Sequence, residues 1–497
     1  MQFVSLEFFV FLLITIVLYF VFPKKYRYIW LLAASWGFYY KLSGKLLVML
    51  VLVTVVAYAG GLLIGNSKDA KNGTDTGRHG NKTALIVAVT VLVLILAVFK
   101  YTGFMLETVK CLQSAMGIEP LGIVAEIALP IGISFYIFQA IGYLVDCYRG
   151  TVTVEKNYLQ LALFISFFPQ VMSGPIERAG NMLKQFKEPR SFSYERMRDG
   201  LMLMIWGYFQ KIIIADRLAV VVDKVYKSYE SYSGTLLFVA TIFYTFEIYC
   251  DFAGYTNIAI GSARIMGIDI MENFKQPYLS GSIAEFWRRW HISLSSWLKD
   301  YIYIPLGGNR KGYVRKLVNI CIVFAISGLW HGAAWTFVFW GLLHGLYQVI
   351  GIILKPVRDK LVKILGIDRN SFSHRLVKII VTFMLVNIGW IFFRAPSFGS
   401  AMYVLTGMWK LSPWVLFDGT LFTFGLAEAE IRLVIMALIL LTVVDILNLR
   451  GISVREKIYS QPLWLRWAVY IAAVLFVITC GVWGPGYDAA SFIYSSF

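Results

Sequence analysis

Apolar runs long enough to cross a hydrocarbon core of about 30 Å recur from one end of this chain to the other, and no other feature limits its fold so strongly. A single soluble core in 497 residues has no use for a composition that is 58% hydrophobic and only 15% charged. Backbone groups in hydrocarbon must be satisfied within the chain, and continuous apolar runs achieve this as helices. The expected fold is therefore all-α, a polytopic transmembrane helical bundle. Lys and Arg outnumber Asp and Glu by 46 to 29, a net +17 that in a soluble protein would suggest nucleic acid. Here the excess sits in loops, so the positive-inside rule and attraction to anionic membrane lipid account for it, and no nucleic-acid partner is expected.

Spanning candidates lie around 4–22, 28–42, 45–64 and 84–104, separated by the basic knot Lys24, Lys25 and Arg27, a short turn from Lys41 to Lys45, and the polar loop 66–82. The run 8–22 has no basic segment before it and no small-residue cleavage site after it, so it reads as a spanning helix rather than a signal peptide. Alternation places the 66–82 loop beside the basic knot on the cytoplasmic side. From 121 onward Pro130, Gly132, Pro169, Gly174 and Pro175 interrupt the apolar runs. Such breaks free backbone groups, so these segments should be shielded by protein or line a wet cavity.

Basic stretches at 177–198, 285–316 and 355–378 read as cytoplasmic. The apolar segment 317–354 must then leave the cytoplasm and return, as a hairpin or broken helix pair turning near Gly328 to Ala334, with His331 deep in the membrane. Further spans near 379–393, 431–447 and 465–483 bring the expected total to ten or eleven, plus re-entrant or interfacial helices. No internal repeat is apparent, and one membrane domain over 1–497 is expected: amino-terminal spans 1–120, a motif-bearing core 121–354, and carboxy-terminal helices 355–497. Cys111, Cys147, Cys250, Cys321 and Cys480 stand singly, as small hydrophobes rather than a disulfide or zinc framework.

Of five histidines, His79 and His374 lie in polar loops and read as solvated. His331 sits in the uncharged run ISGLWHGAAWTFVFWGLLHG, where an ionisable group is costly and an imidazole is suited to taking and returning a proton. The competing reading is a histidine that bonds across helices. Gly328 and Gly332 are expected to leave a smooth strip or a break through which a substrate reaches the ring. Helical spacing puts Trp287, His291, Leu294 and Leu298 on one face of an interfacial amphipathic helix. His344, on the next helix, reads as a packing residue. Glu247 and Asp251, spaced by four, share a helix face with Tyr255 next along it. That pair could orient a histidine, pair with Arg288 or Arg289, or line an ion path. No GxSxG, HExxH, HxxxH, Walker or Rossmann pattern occurs, so neither a resident metal nor a nucleotide-fold site is expected.

Taken together, LPIGISFYIFQAIGYLVDCYRG, FFPQVMSGPIER, CDFAGYTNIAIG, ENFKQPYLSGSIAEFWRRWHISLSSWLKDYIYIPLGGNR and SGLWHGAAWTFVFWGLLHG resemble the membrane-bound O-acyltransferase family, in the family's order between about 130 and 345. DYIYIPLGGNR is more similar to the bacterial alginate O-acetylation branch than to the teichoic acid D-alanylation branch, although the carboxy-terminal SFIYSSF departs from the FIYFQF that often ends relatives. The resemblance implies a ring of helices around a funnel that narrows at a histidine matching His331, with a second family histidine matching His291. In the same stretches it offers Trp330, Trp287, Asp251, Tyr255, Asn257 and Asp300 as channel-lining or supporting residues, with Glu247 beside Asp251 added by its spacing, and Arg288, Arg289 and Gln139 as donor-binding ones.

The activity implied is O-acyl transfer, with no bound cofactor, in a bacterial cell membrane. The acyl group, acetyl by this branch, would come from acetyl-CoA, another acyl thioester or a carrier protein on the cytoplasmic side. It would go to an extracytoplasmic glycan or SGNH-type acetyltransferase. D-alanyl transfer to teichoic acid, a transporter or flippase, and a non-catalytic scaffold are the alternatives.

Overall fold

The computed structural model describes residues 1–65, 81–120, 122, 127–172, 174–232 and 234–483. The expected loop at 66–82, apart from Asn81 and Lys82, lies outside them, as do His79 and the SFIYSSF terminus. The described residues contain helices and turns but no strand. They form two compact units, Met1–Leu201 with Ile258–Met271 and Met202–Asn257 with Glu272 onward.

The first unit begins with α1 (Leu6–Val21), α2 (Arg27–Ser43) and α3 (Leu47–Gly65), and α4 (Lys82–Leu96) passes through a π-helical turn into α5 (Thr102–Ala115). Then come α6 (Ile133–Tyr148), the short α7 (Tyr158–Ser166) and α8 (Phe168–Val171), and the amphipathic α9 (Ala179–Lys187). Small residues let helices approach: a Cβ on Gly60 of α3 would lie 2.8 Å from Ala88 of α4, and one on Gly61 would lie 2.9 Å from the Tyr143 hydroxyl of α6.

The interrupted segments are held as a non-aqueous interior requires. Tyr39 donates to the Ile131 carbonyl at 2.9 Å, and the Phe168 N–H donates to Ser35 Oγ at 3.1 Å, so groups freed by the breaks regain partners. Gly132 enters α6 at φ +75, and a Cβ there would lie 2.0 Å from the Val171 carbonyl oxygen, so both conformation and space demand glycine.

The loop after residue 265 is fastened to the same unit through Asp269. Its carboxylate accepts from Arg190 at 2.6 Å and from Arg196 at 3.0 and 3.1 Å, while its backbone exchanges hydrogen bonds with Gln185. Partial burial raises the Asp269 carboxyl, but the bonds and charge of Arg196 and Arg190 outweigh that and hold it below its ordinary range. A carboxyl lowered on folding stabilises above its unfolded pKa of about 3.9, and the contribution is lost as pH falls through the folded value. Asp269→Asn should therefore lower the thermal unfolding midpoint at neutral pH, and the gap to wild type should close as pH drops below about 4.

The helix α10 (Tyr194–Tyr208) leads through a π-helical segment, Phe209–Ala215, to α11 (Asp216–Lys227) and the long α12 (Gly234–Ile265). Two short helices follow, α13 (Ile283–Arg289) and α14 (Ile292–Leu298), and then the pair α15 (Tyr313–His331) and α16 (Trp335–Ile353). The remaining helices are α17 (Lys355–Ile364), α18 (Phe372–Arg394), α19 (Phe398–Gly407), α20 (Glu428–Leu449), α21 (Val454–Tyr459) and α22 (Leu463–Cys480).

Seven stretches among the described residues are long and apolar enough to cross a membrane. One of them, Lys24–Gly65, divides into α2 and α3 at Gly44, and α1 and α6 are apolar but shorter. Leu6, Leu13 and Val21 on α1 are 79%, 64% and 71% exposed, a face that in water would be costly and in hydrocarbon is ordinary. The chain is a polytopic membrane protein.

Candidate active site

The 317–354 segment forms the expected hairpin, with α15 ending at His331 and α16 starting at Trp335. Close crossing explains why the two helices pack along their length. A Cβ on Gly328 would lie 2.3 Å from the Phe337 carbonyl oxygen, and one on Gly341 would lie 2.2 Å from that of Phe324. Of the two expected alternatives, a smooth strip or a break, the structure shows the break: α15 ends at His331, α16 covers Gly328, and the Phe337 ring lies against Gly332. The PLGGNR turn is tied to the same hairpin, because Asn319 on α15 donates to the Gly308 carbonyl at 3.2 Å.

The break after residue 331 leaves the His331 ring in an aromatic enclosure. Its centroid lies 4.9 Å from Trp330, 5.0 Å from Trp340 and 5.5 Å from Phe393. His331 is 1% exposed. The ring of His291 lies 6.2 Å away, itself 4.7 Å from Phe252 and 5.8 Å from Trp330, and has no exposed surface. Trp330 thus walls both imidazoles.

His291 does not sit on a continuous amphipathic helix, contrary to the spacing argument. The helix stops at Arg289, and His291 adopts φ 44 and ψ 54, the left-handed region, before α14 starts. A non-glycine residue pays about 1–3 kcal/mol for such a conformation and keeps it only where surrounding structure insists. The segment at 273–275 supplies that insistence. The Lys275 N–H donates to the Arg289 carbonyl at 2.9 Å, the Ile292 N–H to the Asn273 carbonyl at 3.0 Å, and the Ser293 N–H to Asn273 Oδ1 at 3.2 Å.

Asn273, 1% exposed, was not among the residues singled out from the sequence, and no local pattern marks it. Asn273→Ala should leave a buried N–H at Ser293 without its acceptor and cost about 1–3 kcal/mol, read as a lower unfolding midpoint in detergent. A midpoint equal to wild type would show that the clamp does not hold this turn.

Trp287 supports the site through a partner on the next hairpin helix. It is buried, and its indole N–H donates to His344 Nδ1 at 3.2 Å, so the proton of His344 is on Nε2, which lies close to Gly389 on α18. His344, Trp287, Trp290, Trp340 and Trp390 form an aromatic core beside the two histidines. On α18, Asn387 fastens that core to α12 by donating to the Thr241 carbonyl and to Thr245 Oγ1, at 2.9 and 2.7 Å.

The acidic face of α12 meets a cation that sequence reasoning passed over. Lys211, carried inward by the π-helical segment, pairs with Asp251 at 2.6 Å and Asp216 at 2.7 Å, and its ammonium lies 5.2 Å from the Tyr255 ring. All three charged side chains are at most 3% exposed. Glu247 is buried one turn away, within the field of Arg394 and Asp223, which pair with each other. Neither acid takes up Arg288 or Arg289: Arg289 pairs with Glu285 at 2.8 Å, and Arg288 is exposed on α13. Asn257 donates to Gln210 at 2.7 Å, Asp300 is half-buried in the π-helical turn at 299–303, and Gln139 is buried on α6 of the first unit. No group of three or more His, Cys, Asp or Glu residues among those described is arranged to hold a metal ion.

Comparison with known proteins bears on this site. The family model for MBOAT, the membrane-bound O-acyltransferase family, matches residues 153–395, a range that contains both histidines. The chain is 38% identical over 408 residues to the probable alginate O-acetylase AlgI of Pseudomonas putida, covering 82% of this chain and 80% of that one. Identity to the peptidoglycan O-acetyltransferase of Helicobacter pylori is 34% over 417 residues, 78% of this chain and 74% of the other. It falls to 28% over 281 residues, 54% and 69% of the two chains, for the teichoic acid D-alanyltransferase of Bacillus subtilis.

Proposed function

Because the chain belongs to the membrane-bound O-acyltransferase family, we propose that it moves an acetyl group from a cytoplasmic thioester to a hydroxyl of an extracytoplasmic polysaccharide or of a partner acetyltransferase, with His331 as general base. The observation that carries this reading is the pair of buried imidazoles 6.2 Å apart at the turn of the α15–α16 hairpin. Higher identity to relatives named for O-acetylation than to one named for D-alanylation favours acetyl as the group moved.

Each step balances with the residues at hand. An imidazole nitrogen of His331 accepts the acceptor's hydroxyl proton as the oxygen adds to the thioester carbonyl. The C–S bond then breaks, and the departing thiolate takes the proton back, so ester and thiol leave and the ring is neutral again. His291, whose backbone is held in one unusual conformation, orients the carbonyl and donates to the oxygen that becomes anionic. The aromatic walls of Trp330, Trp340 and Phe393 exclude the water that would otherwise hydrolyse the thioester.

Among the donor candidates, exposed Arg288 is suited to the phosphates of acetyl-CoA, whereas Arg289 serves its Glu285 pair. Asp251, Tyr255, Asn257 and Glu247 support the scaffold from α12, and Trp287 does so through His344.

The test uses purified protein in nanodiscs with labelled acetyl-CoA and a glycan acceptor. Free thiol should appear in proportion to acetylated acceptor. Acceptor or acetate flux without thioester consumption would instead identify a transporter.

A further inference from the structure

A cavity of about 540 Å³ opens on the first unit, far along the chain from the histidines, where α1 gives way to α2. It is lined by Lys24, Lys25 and Lys187 against one carboxylate, Glu188, with Gln160 of α7 and Phe186 of α9 among its walls. The size is that of a small-ligand site, and the charge favours an anion.

The basic residues here are not equivalent. Arg27, next in the knot, is consumed by the fold: its guanidinium donates to the carbonyls of Phe22, Arg190 and Phe20 and lies 5.0 Å from the Tyr19 ring. Lys187 is engaged with Glu155. Lys24 and Lys25 are exposed on a single turn that follows Pro23, and among the described residues neither pairs with a carboxylate. Gln160 supplies a second, independent sign of a ligand, because its Oε1 is buried in the protein without a hydrogen-bond partner. A buried amide oxygen left in that state costs free energy unless something donates to it.

The surroundings select among anions. The exposed apolar surface of α1 runs up to this point, with Val17 51% and Val21 71% exposed, and Tyr26 is 47% exposed beside the lysines. Apolar surface, then a tyrosine, then lysines is the order met on passing from hydrocarbon into the headgroup layer. A soluble phosphate would gain nothing from the apolar approach, whereas acyl chains would lie along it.

We infer that this cavity binds the headgroup of an anionic glycerophospholipid, its phosphate on Lys24 and Lys25 and a headgroup hydroxyl donating to Gln160 Oε1. The assignment uses none of the residues of the proposed chemistry and does not depend on it.

Native mass spectrometry of the purified full-length protein, titrated with phosphatidylglycerol or phosphatidylcholine, tests the inference. Phosphatidylglycerol should be retained preferentially, and Lys24→Gln/Lys25→Gln should weaken its binding about 30-fold, the effect of two interfacial charges, with phosphatidylcholine unaffected. Lys363→Gln, a surface charge change on α17, should leave both lipids as in wild type. Gln160→Leu removes no charge and keeps the test available if the double variant misfolds. In a further titration with phosphatidic acid, whose headgroup is a bare phosphate, wild type should hold phosphatidylglycerol more tightly, and Gln160→Leu should abolish that preference. Undiminished phosphatidylglycerol binding in the lysine variant, an unchanged preference in Gln160→Leu, an equal loss in Lys363→Gln, or displacement of the lipid by millimolar inorganic phosphate or CoA would each overturn the assignment.

Discussion

Replacing His331 with glutamine is expected to leave the bundle folded and to lower acyl-transfer turnover by about 10³-fold, within the range that general-base catalysis contributes. Glutamine is close to histidine in length and keeps a polar amide inside the Trp330, Trp340 and Phe393 enclosure, so packing around the hairpin turn survives. It has no site that accepts a proton at working pH, so the acceptor hydroxyl must attack without being deprotonated. Donor binding should change little, which places the loss in kcat rather than KM. His291→Gln should cost less, about 100-fold, the lower end for a disturbed oxyanion donor, because glutamine keeps an N–H that can donate to the oxygen.

The largest effect on stability is expected away from the histidines, at Lys211. Its ammonium pairs with both Asp216 and Asp251 where all three side chains are shut off from water. Lys211→Met would leave two carboxylates facing each other without that cation, a loss of about 3–5 kcal/mol for a buried pair broken from one side. The buried Cys147 and Cys250 report on this directly. Their labelling by a thiol-reactive dye during heating should begin at a clearly lower temperature in the variant. Adding Asp216→Asn and Asp251→Asn to Lys211→Met should restore much of the difference, since a neutral cluster carries no uncompensated charge. A single variant as stable as wild type would show that the cluster's charges are balanced in some other way.

Much of the fold followed from periodicity and loop charge. The hairpin turn near His331 came from the two basic stretches that bracket 317–354, and α18, α20 and α22 lie where apolar runs were found. What escaped depends on partners distant in sequence. The face shared by Glu247 and Asp251 was legible from spacing, but the cation opposite Asp251 is forty residues upstream, inside FQKIIIADR, where a lone lysine in an apolar run was the available signal. The left-handed turn at His291 was not legible either. Nothing local in FWRRWHISL forbids a helix, and only pairing with the segment around Asn273 breaks it. Gly328 and Gly332 proved unequal despite their spacing: Gly328 serves close packing against α16, whereas Gly332 lies at the break after His331.

The most direct test of the account is a single-turnover assay in nanodiscs, in which labelled acetyl-thioester is pre-bound to the protein and the hydroxyl acceptor is then added. Wild type should convert bound donor to acetylated acceptor with release of one thiol per transfer. His331→Gln, matched for folded fraction and donor occupancy, should hold the thioester intact over the same interval. Acetyl transfer by that variant at the wild-type rate would contradict the assignment of His331 as the base.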